Sequence, residues 1–597
     1  ASYRQNVHAY PSGGGDYEVA TVNLGKHAGV TVAAALLVDY VLTVAVSVSS
    51  GVQNIGSAIG FVHDHPTPIA CALVLLLAAM NLRGVRESGS LFAIPTYGFM
   101  IGVLGMAAVA GIRAAGGNLP DVESARLQIQ PAPGYGGNLS QIALIFLLAR
   151  AFSSGCAALT GVEAISNGVP AFRKPKSKNA ATTLLLLGGI AVTMLLSIII
   201  LARNMGLRYV DPNDNAAFAR LRDAGGHPLP RSYAQHTVIA QISRAVFNNF
   251  PPGFYFVVAM TGIILILAAN TAFNGFPVLG SILAKDGWMP RALGSRGDRL
   301  AYSNGILILA GFAIVLIIAF HASTTNLIQL YIVGVFVSFN LSQLGMIRHW
   351  TRHLKTEKDA SARRKMYRSR MINAFGLAMT AVVFVVVLLT KFLQGAWIAI
   401  LAMMAFFVLM QAIHRHYDRV GQELLADESD QVMPTRVHAI VLVSKLHKPT
   451  MRALAFAKAT RPNVLEGVSV DTDPKVTDAL LLEWDKRRID MPLKVLYSPY
   501  REIIRPIVLY AMSIREANPR GVVAVYIPEY VVGHWWEQLL HNQTALRLKG
   551  RLLFTPGVMV ISVPYQLRSS EIGRERNEWE FDRLHPGDVR RGRTARK

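Results

Sequence analysis

Cysteine is nearly absent: the 597 residues hold two, Cys71 and Cys156, each inside an apolar segment, so neither a disulfide framework nor a cysteine zinc site can be built. Charge is scarce too. Only 16% of residues are charged, against about 25% in an ordinary soluble domain, and a water-soluble enzyme of this length is thereby disfavoured. Missing as well are a GxGxxG or Walker sequence, a recognisable pair of catalytic carboxylates and a nucleophile elbow. The chain therefore shows no signature of an enzyme or of ATP-driven transport, and it implies neither a cofactor nor a resident metal.

What is present is apolar. Hydrophobic residues make up 52% of the chain and the mean hydropathy is +0.34, too high for a dry core alone. Runs such as 182–202 (TTLLLLGGIAVTMLLSIIILA) match the roughly 20 residues that cross a bilayer. About ten spans are expected, near 29–58, 67–83, 91–112, 141–168, 182–203, 254–280, 303–320, 327–347, 374–392 and 395–413. The formal charge of +23 lies largely in short loops between these runs, as in RKPKSK and the stretch from Arg348 to Arg370, and in the tail. Topology accounts for it without a nucleic acid partner: the basic loops face the cytoplasm, and the C-terminus lies with them. A linker spans 414–436. Over 437–567 five β-branched runs alternate with amphipathic helices, the pattern of a parallel, doubly wound sheet. From 568 to 597 the sequence is a polar, Arg-rich tail without periodicity, expected to be disordered.

Ionisable residues inside spans usually mark a pathway or a binding site. In LLVDYVLTVAVSVSSGVQN the polar positions Asp39, Thr43, Ser47, Ser50 and Asn54 fall on one helical face, with Tyr40 beside the carboxylate. Such a stripe suits the wall of a water-filled cavity or an oxygen-ligand cation site; the plainer reading is an interhelical hydrogen-bond seam. In ARAFSSGCAALTGVEAISNGVP, Ser153, Ser154, Gly155, Thr160, Gly161 and Glu163 interrupt an apolar span, as in a broken helix. Thr160 and Glu163, at i and i+3, can offer a hydroxyl and a carboxylate to one point; the alternative pairs Glu163 with the basic RKPKSK loop. Asn270, Thr271, Asn274 and Tyr331 either face a cavity or pack helices. Gly13 to Gly15, after Pro11, read as a turn. In the soluble part, Lys445, His447 and Lys448 of SKLHKPT precede a helix whose N-terminal amides suit phosphate, unless they form a basic loop near the membrane.

The strings YPSGGGDYEVATVNLG, LLVDYVLTVAVSVSSGVQNI, ALTGVEAISNGVPAFRKP, ANTAFNGFPVLGSILAKDGWMPR, YIVGVFVSFNLSQ and HWWEQLLHNQTALRLKGRL resemble the amino acid, polyamine and organocation (APC) transporter superfamily. Within it they are most similar to the KimA-type proton-coupled potassium importers, over nearly the whole chain to about Leu567. The resemblance implies an α-helical transmembrane, LeuT-like fold of two inverted five-helix repeats plus two helices, with a cytoplasmic α/β domain similar to universal stress proteins that joins two protomers. It implies a potassium site of Asp39, Tyr40 and Thr43 on the third helix, Thr160 and Glu163 on the sixth and Tyr331 on the tenth. It also implies inhibition by cyclic di-AMP. The family pattern begins two helices earlier, so the fold is expected to lack its first two helices, including the one that contributes an acidic residue and a tyrosine to the ion site.

These observations lead to a multi-pass protein of a bacterial plasma membrane that imports potassium with protons, Asp39 and Glu163 being the candidates for proton coupling. A carboxylate in low dielectric can exchange a proton as its cavity opens to either side. An amino acid permease on the same fold is the alternative, and a membrane-anchored nucleotide sensor a second one of another class. The aromatic helix around Trp535 and Trp536 is expected at a homodimer interface. If two helices are missing, Asp39 should border an open groove, hydrated and accessible, shared with Thr160 and Glu163.

Overall fold

The structure is a computed structural model that describes residues 2–10, 15–83, 89–131, 140–156, 161, 165–166, 168–169, 172–210, 218–230, 233, 235–295, 302–392, 395–426, 433–532, 537 and 543–567. Two compact units divide at Leu424 and Leu425. The first is helical. In chain order it contains α1 (Ser2–Ala9), α2 (Gly15–Leu24), α3 (Lys26–Gly56), α4 (Gly60–Asp64), α5 (Pro66–Leu82), α6 (Gly89–Ala115) and α7 (Gln141–Gly155). There follow α8 (Lys176–Asn204), α9 (Val238–Val246), α10 (Pro251–Lys285), α11 (Ser303–Ala319), α12 (Thr324–Thr356), α13 (Ala360–Lys391) and α14 (Ala396–Glu423).

Seven of these helices are long and apolar enough to cross a membrane, and three shorter apolar ones lie at Pro66–Leu82, Ala143–Gly155 and Ser303–Ala319. Each of the ten expected spans thus meets an apolar helix. Within 141–168, α7 is capped by Ser140 Oγ accepting from the Ala143 amide at 3.2 Å and runs to Gly155, and most of 157–168 lies outside the described residues. Gly161 takes a positive φ of 86° that continuing helix forbids to other residues. Lipid rather than water is the natural solvent for the outer faces, since Leu185, Leu186, Ile199 and Ile200 of α8 are all more than half exposed.

α3 sits at the centre. It packs against α2, α5, α10, α11, α12 and α14, and 83% of its apolar window is buried, against 11% for α8. Its Ala, Val and Gly residues let neighbours approach closely. At Gly51 an added Cβ would lie 3.3 Å from Ile266, and at Gly334 of α12 it would lie 3.2 Å from the Ala35 carbonyl of α3.

The second unit contains β1 (Val437–Leu442), α15 (Lys448–Ala459), β2 (Val464–Asp471), α16 (Pro474–Lys486), β3 (Leu493–Tyr497), α17 (Ile504–Ala517), β4 (Val522–Val531), α18 (Gln543–Leu553) and β5 (Val558–Gln566). All neighbouring strands pair in parallel, in the order β3-β2-β1-β4-β5. Alternate strand residues feed two cores. Ala439, Val441, Ala524 and Tyr526 pack with Leu454 and Trp484 on one face, whereas Ile440, Val468, Val523 and Val525 pack with Ile507 and Leu552 on the other. That alternation makes the sheet doubly wound, and the order reverses between β1 and β4.

One buried acid belongs to this second core. Glu466 of β2 is 8% exposed and accepts hydrogen bonds from His438 Nε2 at 2.8 Å and from the Tyr510 hydroxyl. Burial alone would raise its pKa, but these two bonds and the charges of His438 and Lys494 bring it below the ordinary glutamate value. A lowered folded pKa contributes stability that is fully present above the unfolded value of about 4.3 and is lost as pH falls through the folded one. Glu466→Ala should cost the second unit about 2 kcal/mol at neutral pH, and the gap between wild type and variant should close in acid. Denaturant unfolding from pH 7 to pH 3 checks this; a gap that is constant with pH removes the ionised role.

Candidate ion-binding site

Asp39 lies midway along α3 and is 1% exposed. Among the described residues, the expected open groove is not seen at Asp39. The physical reason is the central place of α3, whose flanks are covered by α10 and α12 on this side as well. Tyr40, 5% exposed, packs its ring on Gly275 of α10, where a Cβ would come within 2.7 Å of the ring. One turn beyond Asp39, Thr43 Oγ1 donates to the Tyr331 hydroxyl of α12 at 3.1 Å. Tyr331 is 7% exposed. Tyr40 thus meets α10, whereas Thr43 and Tyr331 join α3 to α12.

Further along, the stripe divides. Ser50 Oγ donates to Thr324 Oγ1 at 3.3 Å and Gln53 Nε2 to the Ala322 carbonyl at 3.5 Å, both toward the start of α12. Asn54 turns instead to α10, its Nδ2 donating to the Val258 carbonyl at 2.8 Å. Fifteen residues at 100° each leave Asn54 about 60° away from Asp39 around the helix, which explains the change of neighbour. Gln53 and Ser57 then reach a cavity of about 680 Å³, lined also by His63, His236, Arg244 and His321. It opens where α3, α9 and the start of α10 meet.

Of the other expected positions, Thr160 and Glu163 lie outside the described residues. Ser153 is fully buried near the end of α7, and Ser154 Oγ donates to the Arg150 carbonyl. Asn270 packs helices, its Oδ1 accepting from Asn81 Nδ2 of α5 at 2.6 Å. Thr271 and Asn274 are exposed on α10. Gly15 has φ 49° and opens α2, while Gly13 and Gly14 lie outside the described residues.

Sequence reasoning missed a second buried acid. Asp16, the residue after Gly15, is 1% exposed and bonds with Tyr3, Ser338 and Ser342. The available signal was a pair of serines at i, i+4 inside an apolar helix, Ser338 and Ser342, and an acid directly after the glycines.

In the second unit, Lys445, His447 and Lys448 follow β1, beside the β1–β4 reversal where α/β sheets bind ligands. The loop is shaped by Thr450, whose Oγ1 donates to the Lys445 carbonyl at 2.8 Å and lies 2.7 Å from His447 Nδ1. Trp535 and Trp536 lie outside the described residues.

A bundle of long apolar helices, with a carboxylate buried on its central member, fits a multi-pass membrane protein. The amino acid permease pattern matches residues 6–410, and the pattern of the KimA potassium transporter C-terminal domain matches 436–565. The potassium transporter KimA of Bacillus subtilis (strain 168) is 37% identical over 574 residues, covering 95% of this chain and 87% of that protein. The chain belongs to the KimA family of APC-type permeases.

Proposed function

We propose that this chain imports potassium together with protons across a bacterial plasma membrane. It is a transport protein rather than an enzyme. The observation that supports the reading is the burial of Asp39 on the central helix, with Tyr40 next in sequence and the Thr43–Tyr331 hydrogen bond one turn on, side chains that offer oxygen of the kind a weakly hydrated hard cation takes in place of its water. A charged carboxylate is costly in a dry bundle unless a cation or a proton neutralises it. Exchange of one for the other at Asp39 couples the two fluxes. Thr160 and Glu163 are assigned to the same site by family resemblance, Glu163 as the second proton carrier.

The basic loops favour a cytoplasmic C-terminal unit. The cavity lined by Gln53 and Ser57 then serves as the outer vestibule, because it lies toward the opposite end of α3 from the basic end of α12. In the soluble unit the loop of Lys445, His447 and Lys448 at the sheet reversal supports a regulatory site for an anionic nucleotide, cyclic di-AMP in this family. Its dimerisation through the Trp535–Trp536 region is proposed on the same footing, as is its likeness to universal stress proteins.

Rubidium or potassium uptake by the chain in a potassium-transport-deficient bacterium tests the function. Uptake should rise with an inward proton gradient and be unaffected by excess amino acids. Saturable amino acid uptake without potassium uptake would replace this reading by that of an amino acid permease.

A further inference from the structure

The proposed ion route leaves Asp16 unused. In the first turn of α2, its Oδ2 accepts from the Tyr3 hydroxyl of α1 at 2.5 Å and from Ser338 Oγ of α12 at 2.8 Å, while Oδ1 accepts from Ser342 Oγ at 2.7 Å. Asn6 Nδ2 of α1 donates to the same Ser342 hydroxyl at 2.9 Å. Three O–H donors aimed at one carboxylate suit its ionised, acceptor-only form, and hydrogen bonds to a charge are the strong ones. The next residue reaches another helix. The Tyr17 hydroxyl donates to Asp286 Oδ2 at the C-cap of α10 at 2.6 Å.

A second tie lies at the far ends of α1 and α2, where Asn23 Nδ2 donates to the Tyr10 hydroxyl at 2.7 Å and that oxygen lies 3.0 Å from His349 Nδ1 of α12. Between the ties the contact is tight. Val19 is fully buried, and a Cβ on Gly345 of α12 would lie 2.9 Å from its Cγ1 and 3.1 Å from its carbonyl oxygen. α1 and α2 therefore form a strap that fastens the ends of α10 and α12 nearest the basic loops.

The fastened helix also carries the ion site. Tyr331, Ser338 and Ser342 stand at i, i+7 and i+11 on one face of α12, and Ser338 lies about 10 Å along the axis from Tyr331. Resting on the transport reading, we propose that Asp16 is a positioning residue for transport: its carboxylate clasps α1 and α2 to α12, closing the cytoplasmic end and setting Tyr331 opposite Thr43. Opening of the clasp releases the ion inward.

The test uses the full chain in native membranes, with Cys71→Ala, Cys156→Ala and Val19→Cys, alkylated by N-ethylmaleimide. With Asp16 intact the thiol should react slowly. Asp16→Asn should speed alkylation roughly tenfold or more, the population change expected from loss of one hydrogen bond to a charged group, and raise the potassium concentration that half-saturates uptake. Equal alkylation rates overturn the clasp. Should Asp16→Asn fail to reach the membrane, Tyr3→Phe removes one donor and keeps the acid; a several-fold acceleration supports the proposal and an unchanged rate overturns it. Thiol reactivity needs no potassium flux, so acceleration in a chain that transports another solute would leave the clasp standing and remove only the substrate.

Discussion

Asp39→Asn is expected to abolish growth rescue of a potassium-transport-deficient bacterium at low potassium, with uptake down about a hundredfold and protein in the membrane unchanged. The amide keeps the size of the side chain and much of its hydrogen bonding but neither its charge nor its capacity to carry a proton. At a site that is 1% exposed, no bulk water compensates for the lost charge. A cation there would lose its one formal counter-charge on α3, and contacts of this kind supply about 3 kcal/mol. Growth of the variant at the wild-type level would sink both the substrate site and the proton exchange assigned to Asp39.

The other large effect lies in the second unit. Trp484 of α16 is 4% exposed, donates through Nε1 to the Met491 carbonyl at 3.1 Å, and rests on β2 where Gly467 leaves room for it. A Cβ at Gly467 would come within 2.8 Å of the indole. Trp484→Ala empties this place and should cost about 4 kcal/mol, a large share of the 5–15 kcal/mol that holds a typical domain folded. Denaturant unfolding of residues 425–597 should show a midpoint shift of that size, whereas a shift below about 1 kcal/mol would mean that the core collapses around the gap.

The long elements were legible because each announces itself over many residues. Ten apolar runs marked the spans, and β-branched runs at regular intervals marked the five strands, down to the alternation of Ala439, Ile440 and Val441 between two cores. The short helices α1, α2, α4 and α9 were not seen, since eight or ten mixed residues carry little periodic signal. Asp16 escaped for a related reason. Its partners come from 13 to 326 residues away along the chain, and no local pattern joins Tyr3 or Ser342 to a carboxylate after three glycines. Asp39 was read correctly as a polar position in a span, but its accessibility was not. Whether a polar stripe meets water or protein depends on what covers it, and covering is a property of the neighbouring helices rather than of α3 itself.

That covering also constrains how the sequence can diverge. A substitution on α3 must suit contacts on every side at once, so a change at Gly51 or Ala35 requires a compensating change on α10 or α12. α8 meets few neighbours, and one aliphatic residue replaces another there at little cost. Drift between relatives therefore has most room on the outer helices, while α3 changes in concert with its surroundings or hardly at all.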